Sequence, residues 1–265
     1  MMSKKEMLLS RVIVEYLKHR EPIGSESLKT LMNTKISSAT IRNYFKTLAD
    51  EGLLFQPHIS SGRIPTLEAL KSYWYRQLDT RLGIETDSLE GIKEACFLTD
   101  LFCVVSIEQS NRLCAITRLD EQKLLLEFEH IGITLPFSSA LERFLHELKG
   151  LEIVDVRNIA YQVRAQSVLD ALSCVQSRNL ERFGVGALMQ AYSGNSSEQS
   201  FYSIIDGSIF DSLQNGIYYE EVLPKGYMAV MQEMRLKSHP DKKSRILCVG
   251  ALDRDFTHFF EMIQS

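Results

Sequence analysis

An α+β protein in two domains is what this sequence predicts, and three observations predict it. Apolar residues recur every three or four positions through roughly the first fifty residues, as amphipathic helices require. Gly52 ends that pattern, and two short apolar runs, "LLFQPHI" and "RIPT", then flank the turn "SSG". Further on, runs rich in Val, Ile, Leu and Phe alternate with more amphipathic helices.

The chain has 265 residues, 45% of them hydrophobic, which is material enough for two cores. No run reaches the roughly 18 apolar residues of a membrane span. The basic N-terminus "MMSKKEMLLSRVIVEYLKHR" lacks the uninterrupted apolar core and the small-residue cleavage site of a signal peptide. A cytoplasmic protein with no membrane anchor is therefore expected. Five cysteines (Cys96, Cys103, Cys114, Cys174 and Cys248) form no C-x-x-C pair and lie mostly among apolar residues, so buried reduced thiols are expected. The net charge of −4 is unevenly spread. Residues 1–80 carry 12 Lys and Arg against 8 Asp and Glu, and residues 81–265 carry 18 against 26. A basic front on an acidic body directs any polyanion to the front.

Residues 4–19 place Leu8, Leu9, Val12, Ile13, Tyr16 and Leu17 on one helical stripe. Pro22 and Gly24 end that helix, and Ser25 is placed to cap a second, "ESLKTLM", which Asn33 and Thr34 close. Ser37 or Ser38 caps a third. In it Ile41, Phe45 and Leu48 stand at i, i+4 and i+7 and face one way, while Ala39, Arg42, Asn43 and Lys46 project on the other side.

That outer face suits nucleic acid. An arginine can chelate the two acceptors of guanine and an asparagine can pair with adenine. Lys46 suits a phosphate, and the helix start at Ser37, Ser38 and Thr40 offers free N–H groups to another. On the turn beyond, Arg63 is placed for a phosphate or a minor groove, with His58 and Ser61 beside it. Taken singly, a basic helix face is usually a solvated face and a polar turn is usually only a turn. Three helices, a hairpin and these residues in this order predict a winged helix-turn-helix that touches one duplex at two places.

The segments "EPIGSESL", "SSATIRN", "LADEGLL" and "QPHISSGRIPT" closely resemble the N-terminal domain of the HrcA family of bacterial heat-shock repressors. The resemblance implies a dimer that binds an inverted-repeat operator of double-stranded DNA, the CIRCE element, upstream of chaperone operons. It also implies that the chaperonin GroEL promotes the DNA-binding form. Tyr44 and Phe45 stand where the family usually has an acidic residue and methionine, and Ile59 and Ser61 depart from its wing. The chain also looks shorter than the usual member.

Thr66 is placed to cap a helix whose Leu67, Leu70, Tyr73 and Trp74 share a face; it breaks near Gly83 and resumes around Ser88. "DLFCVVSIE", "RLCAITRL" and "KLLLEFEHIGITL" read as strands and "SSALERFLHELKG" as a capped helix. "AQSVLDALSCVQSRNLERFGVGALMQAY" reads as one long helix, and "SGNSSEQS" as an exposed loop. "GYMAVMQEMRL" and "SRILCVGAL" read as paired strands joined through "KSHPDKK", and "DFTHFFEMIQS" as a closing helix. The family resemblance implies that residues 81–265 form a GAF-like α+β domain with an inserted helical dimerisation segment near 160–200, behind a DNA-binding domain at 1–80.

The six histidines are scattered, with no metal-ligand spacing, and no nucleotide-binding loop or nucleophile elbow is present. A non-enzymatic repressor without cofactors is the expectation. The alternatives are a ligand-sensing winged-helix regulator of another operon and a winged helix joined to an enzyme, the latter disfavoured by the missing Gly- and Arg-rich nucleotide loop.

Overall fold

The computed structural model describes residues 3–32, 36–173, 178–194, 198–238, 240 and 242–264. Helix α1 (Lys4–His19) opens on a reciprocal cap: Glu6 N donates to Ser3 Oγ at 3.1 Å, and Ser3 N donates to Glu6 Oε2 at 2.8 Å. Leu8, Leu9, Val12, Ile13 and Leu17 are buried as their spacing requires, and Tyr16 is half-buried. Glu15 is also buried, its carboxylate 3.1 Å from Arg11 Nη2.

Helix α2 (Ser25–Met32) begins differently from the expectation. Ser25 is already inside the first turn, and the Gly24 carbonyl accepts from Leu28 N at 2.9 Å, so the Ser25 hydroxyl is free for another partner. The residues expected to close this helix, Asn33 and Thr34, lie outside the described residues. Helix α3 (Ser38–Asp50) is capped by Ser37, whose Oγ accepts from Thr40 N at 3.1 Å. Gly52, at φ +72°, turns the chain out of it.

Strands β1 (Leu54–Phe55) and β2 (Ile64–Pro65) pair antiparallel, Leu54 opposite Pro65 and Phe55 opposite Ile64. They are shorter than the apolar runs suggested, because Gln56, His58 and Ser61 spend their hydrogen bonds within the connecting loop. Thr66 caps α4 (Leu67–Gln77), on which Leu70, Tyr73 and Trp74 are buried. Trp74 is fully enclosed. Its Nε1 donates to the Leu252 carbonyl at 2.8 Å, and its ring meets Phe256 edge-on, centroids 5.5 Å apart.

The remaining elements are β3 (Ile84–Thr86), α5 (Leu89–Thr99), β4 (Phe102–Glu108), β5 (Leu113–Arg118), β6 (Lys123–Phe128), β7 (Gly132–Pro136), α6 (Ser139–Glu147), α7 (Ile153–Gln162), α8 (Gln166–Ser173), β8 (Arg178–Phe183), α9 (Val185–Tyr192), α10 (Glu198–Asp206), α11 (Ile209–Ser212), β9 (Gly216–Tyr218), β10 (Tyr227–Leu236), β11 (Ser244–Ala251) and α12 (Phe256–Ile263). The fold is α+β, in two compact units: residues up to Val105 together with those from Glu181 onward, and Ser106–Leu180.

The first unit is organised on a sheet in the order β3-β10-β11-β4-β8. β10 shares one edge between two partners, β9 along Ala229–Met231 and β3 along Met234–Leu236. β10 and β11 pair antiparallel as expected, from Tyr227 opposite Ala251 to Met234 opposite Ser244. Six consecutive buried residues in β4 mark a strand covered on both faces. Asp255 caps α12 by accepting from His258 N at 3.0 Å.

The second unit has its own core. β6 and β7 alternate buried and outward residues, so Leu124, Leu126, Ile133 and Leu135 face one side of the β5-β6-β7 sheet. Leu145, Val156, Ala160, Val168 and Leu172 of α6, α7 and α8 pack on them. Glu152, just before α7, gathers three donors: Asn111 N, Ser110 Oγ and Arg112 Nε, each at 2.9 Å. The Asn111 N–H, with Arg112 and Ser110, holds its carboxyl below the usual range.

Several expectations for the body need correction. The run "KLLLEFEHIGITL" is two strands, turned where Phe128 N donates to Ile131 O at 2.8 Å. The single long helix from Ala165 to Tyr192 is instead α8, β8 and α9. Gly184, at φ +69°, breaks it where a Cβ would stand 2.1 Å from the Leu101 carbonyl oxygen, and the preceding segment pairs as a sheet strand. Sheet pairing here overrides the helix propensity of Leu, Glu and Arg. The expected loop "SGNSSEQS" is shorter, since α10 begins at Glu198; residues 195–197 are outside the described residues. Within the expected connector "KSHPDKK", His239 and Asp241 are also outside them. Cys96, Cys103 and Cys248 are buried free thiols, with Sγ of Cys103 3.1 Å from that of Cys248. Cys114 is exposed on β5, and Cys174 lies outside the described residues. Among the described residues no helix is long and apolar enough to cross a membrane.

Trp74→Ala removes the largest enclosed side chain and should lower unfolding free energy by about 3–5 kcal/mol, read from urea denaturation by circular dichroism. Trp74→Phe should lose less, since the ring contact survives. The lowered carboxyl of Glu152 stabilises the fold above its unfolded pKa, and that contribution is lost as pH falls through the lower folded value. Glu152→Gln should therefore show a shallower loss of urea midpoint between about pH 6 and about pH 3 than the parent.

Candidate nucleic-acid interface

The segment Ile23–Glu26 is where the front of the molecule is assembled. Ile23 N donates to Arg63 O and Arg63 N donates to Ile23 O, both at 2.9 Å, a closed antiparallel bridge between the start of α2 and the base of the hairpin. The bridge needs Gly62. A Cβ there would stand 2.4 Å from the Ile23 carbonyl carbon and 2.5 Å from its oxygen, far inside contact distance.

The hairpin tip is built from its own polar groups. Gln56 Nε2 donates to Ile59 O at 2.7 Å and Ser61 O at 3.0 Å. Ser61 Oγ accepts from His58 N at 3.0 Å and donates to His58 O at 2.8 Å. The Ser61 hydroxyl thus shapes the turn, the His58 side chain is exposed, and Ile59 is wholly exposed at the apex. Arg63 is half-buried, its backbone fixed by the bridge and its Nε buried without a hydrogen-bond partner among the described residues.

Helix α3 separates its two faces as its periodicity requires. Ile41, Phe45 and Leu48 are buried, and Arg42, Asn43 and Lys46 are exposed. Tyr44 is half-buried beside the core face. At the helix start the Ser37 hydroxyl is committed to the cap and lies 2.9 Å from Thr40 Oγ1; Thr40 is exposed and Ser38 half-buried. Arg42 is not free: its Nε donates to Ser25 Oγ at 3.3 Å, and its Nη2 lies 3.6 Å from Glu26 Oε1. The side chains of Asn43 and Lys46 make no hydrogen bond or ion pair among the described residues. Sequence reading placed the expected residues on α3 and on the hairpin. It missed Ile23, Ser25, Glu26 and Gly62, which hold those two parts together; the glycines of "PIGS" and "SSGR" were the available signal.

The family described as HrcA C-terminal domain matches residues 74–265. The chain belongs to the HrcA family. The heat-inducible transcription repressor HrcA of Helicobacter pylori J99 is 31% identical over 266 residues, an alignment covering 100% of this chain and 96% of that protein. The HrcA repressor of Bifidobacterium animalis subsp. lactis is 41% identical over 96 residues, 36% of this chain and 26% of that one. Among solved structures, the crystal structure of a hypothetical protein aligns over 99% of this HrcA-family chain and 94% of its own, with a TM-score of 0.53 and 16% identity, which shows a shared fold.

Gly62→Ala should force the hairpin off Ile23 and lower stability by about 1–3 kcal/mol. Hydrogen exchange at the Ile23 and Arg63 amides should rise far more than exchange in β10 and β11.

Proposed function

We propose that this HrcA-family chain is a dimeric transcription repressor of heat-shock genes that binds a CIRCE-type inverted repeat. The observation that carries the reading is the outer face of α3: Arg42, Asn43 and Lys46 are exposed there, and the same short segment that contacts Arg42 also bridges to Arg63 of the hairpin. In this reading residues 1–80 are a winged helix-turn-helix, with α3 in the major groove and the hairpin as the wing. Arg42 and Asn43 read base edges, while Lys46, Arg63 and the amides at the start of α3 meet phosphates. His58, Ser61, Ser37, Ser38 and Thr40 border the contact.

The body, residues 81–265, is GAF-like in this reading, with an inserted segment near 160–200 that joins two copies. A twofold dimer on an inverted repeat follows from matched symmetry. Full-length similarity to a heat-inducible repressor supports the regulatory role. Control by GroEL then acts on the folded population: a chaperonin that raises the fraction of native dimer raises repression.

The test is a gel-shift titration of purified protein on the inverted repeat and on a scrambled duplex, at two salt concentrations, with and without chaperonin. The repeat should be preferred, and chaperonin should raise the bound fraction; equal binding to both duplexes would sink the operator assignment. Arg42→Ala and Asn43→Ala should each lose about 1–3 kcal/mol on the repeat. Lys46→Ala and Arg63→Ala should weaken both duplexes alike and reduce the salt slope by about one each.

A further inference from the structure

Ser25 and Glu26 hold one edge of the Arg42 guanidinium, and we propose that they are positioning residues that set operator specificity. This rests on the reading of α3 as the helix that meets DNA. A guanidinium is a planar fork with two usable edges. The side edge of Arg42 faces the start of α2, with Nε donating to Ser25 Oγ at 3.3 Å and Nη2 3.6 Å from Glu26 Oε1. Nη1 has no partner among the described residues, so the end edge, one N–H from each terminal nitrogen, is open to a bidentate acceptor such as guanine O6 and N7.

An untethered arginine on an exposed helix face samples many rotamers and meets phosphate as readily as a base edge. Tethering on one side leaves the base-reading geometry and biases that choice towards it. The tether is itself anchored: Ser25 and Glu26 follow Ile23, which the two backbone bonds to Arg63 fix in place. The Glu26 carboxylate adds a repulsive element, since it disfavours a phosphate in the position that a misplaced backbone would take beside Arg42. The pair is open to solvent, with Arg42 and Glu26 side chains 66% and 68% exposed, so it contributes little to folding stability. Substituting Glu26 therefore perturbs recognition without unfolding the domain.

The experiment measures dissociation constants of the full chain on the inverted-repeat duplex and on the scrambled duplex for the parent, Glu26→Gln, Ser25→Ala, Arg42→Ala and the Glu26→Gln/Arg42→Ala double variant, with a thermal melt of each. Glu26→Gln should lower the ratio of specific to non-specific affinity about two- to fivefold, the range an exposed ion pair can supply and less than the loss in Arg42→Ala. It should leave scrambled-duplex binding equal or tighter, with an unchanged melt, and should have no further effect on the ratio once Arg42 is alanine. Ser25→Ala should move the ratio in the same direction by less. An equal shift on both duplexes would show that Glu26 acts only as bulk charge, and an unchanged ratio would show that it does not position Arg42; either overturns the proposal while Arg42→Ala still lowers the ratio. If Arg42→Ala leaves the ratio intact, or the parent does not discriminate, the reading of α3 itself fails and the proposal falls with it.

Discussion

The pair of backbone hydrogen bonds between Ile23 and Arg63 is the constraint on which the front of the molecule depends. Hairpins of two-residue strands have too little ladder to hold a fixed orientation by themselves. Here the hairpin borrows a third segment, and the borrowed segment is the start of α2, which also reaches Arg42 on α3. The close approach is possible because residue 62 has no Cβ. One glycine thus lets the backbone position of Arg63 and the side-chain direction of Arg42 be set against the same four residues.

The second constraint is α4, which follows the hairpin directly and belongs to the same compact unit as the large sheet. Trp74 is bonded to the Leu252 carbonyl and packed on Phe256 of α12. One turn earlier, Lys71 donates to Glu220 Oε2 at 2.8 Å, and Tyr219 Oη donates to the Lys71 carbonyl at 3.2 Å. Burial and the neighbouring glutamates push the Tyr219 phenol up to about 12, so it stays a neutral donor there at neutral pH. Because these contacts lie on the helix that follows the hairpin directly, the sheet anchors the chain just beyond β2. That gives a physical route from the folded state of the large sheet to the hairpin. The unit Ser106–Leu180 keeps a separate apolar core, so its packing is carried by its own residues.

Local order was legible in the sequence wherever one element determines its own form. The stripe of α1, a serine cap at 37 or 38, the two faces of α3 and the antiparallel pair β10–β11 all follow from periodicity and capping chemistry, which act over a few residues. Arg42, Asn43 and Lys46 could be placed on an outer face for the same reason. Legibility failed where pairing with a distant strand outweighed local preference. Arg178–Phe183 carries helix-forming residues yet becomes an edge strand, and Gly184 then turns the chain against Leu101. The short strand β3, paired parallel to β10, had no readable pattern because three residues are too few to show a period.

What the sequence by itself determined is therefore the α+β class, the order of the front helices and hairpin, the family, and which residue types face outward on α3. Tertiary structure alone decided how those residues are held. Ser25 looked like a helix cap and is a partner of Arg42; Glu26, which carried no readable signal, lies beside the same guanidinium; Gly62 looked like a turn residue and is the contact point of two backbones. The reason is physical: caps and faces depend on neighbours along the chain, whereas a bridge such as Ile23–Arg63 joins segments whose proximity exists only after α1, α2 and α3 have packed.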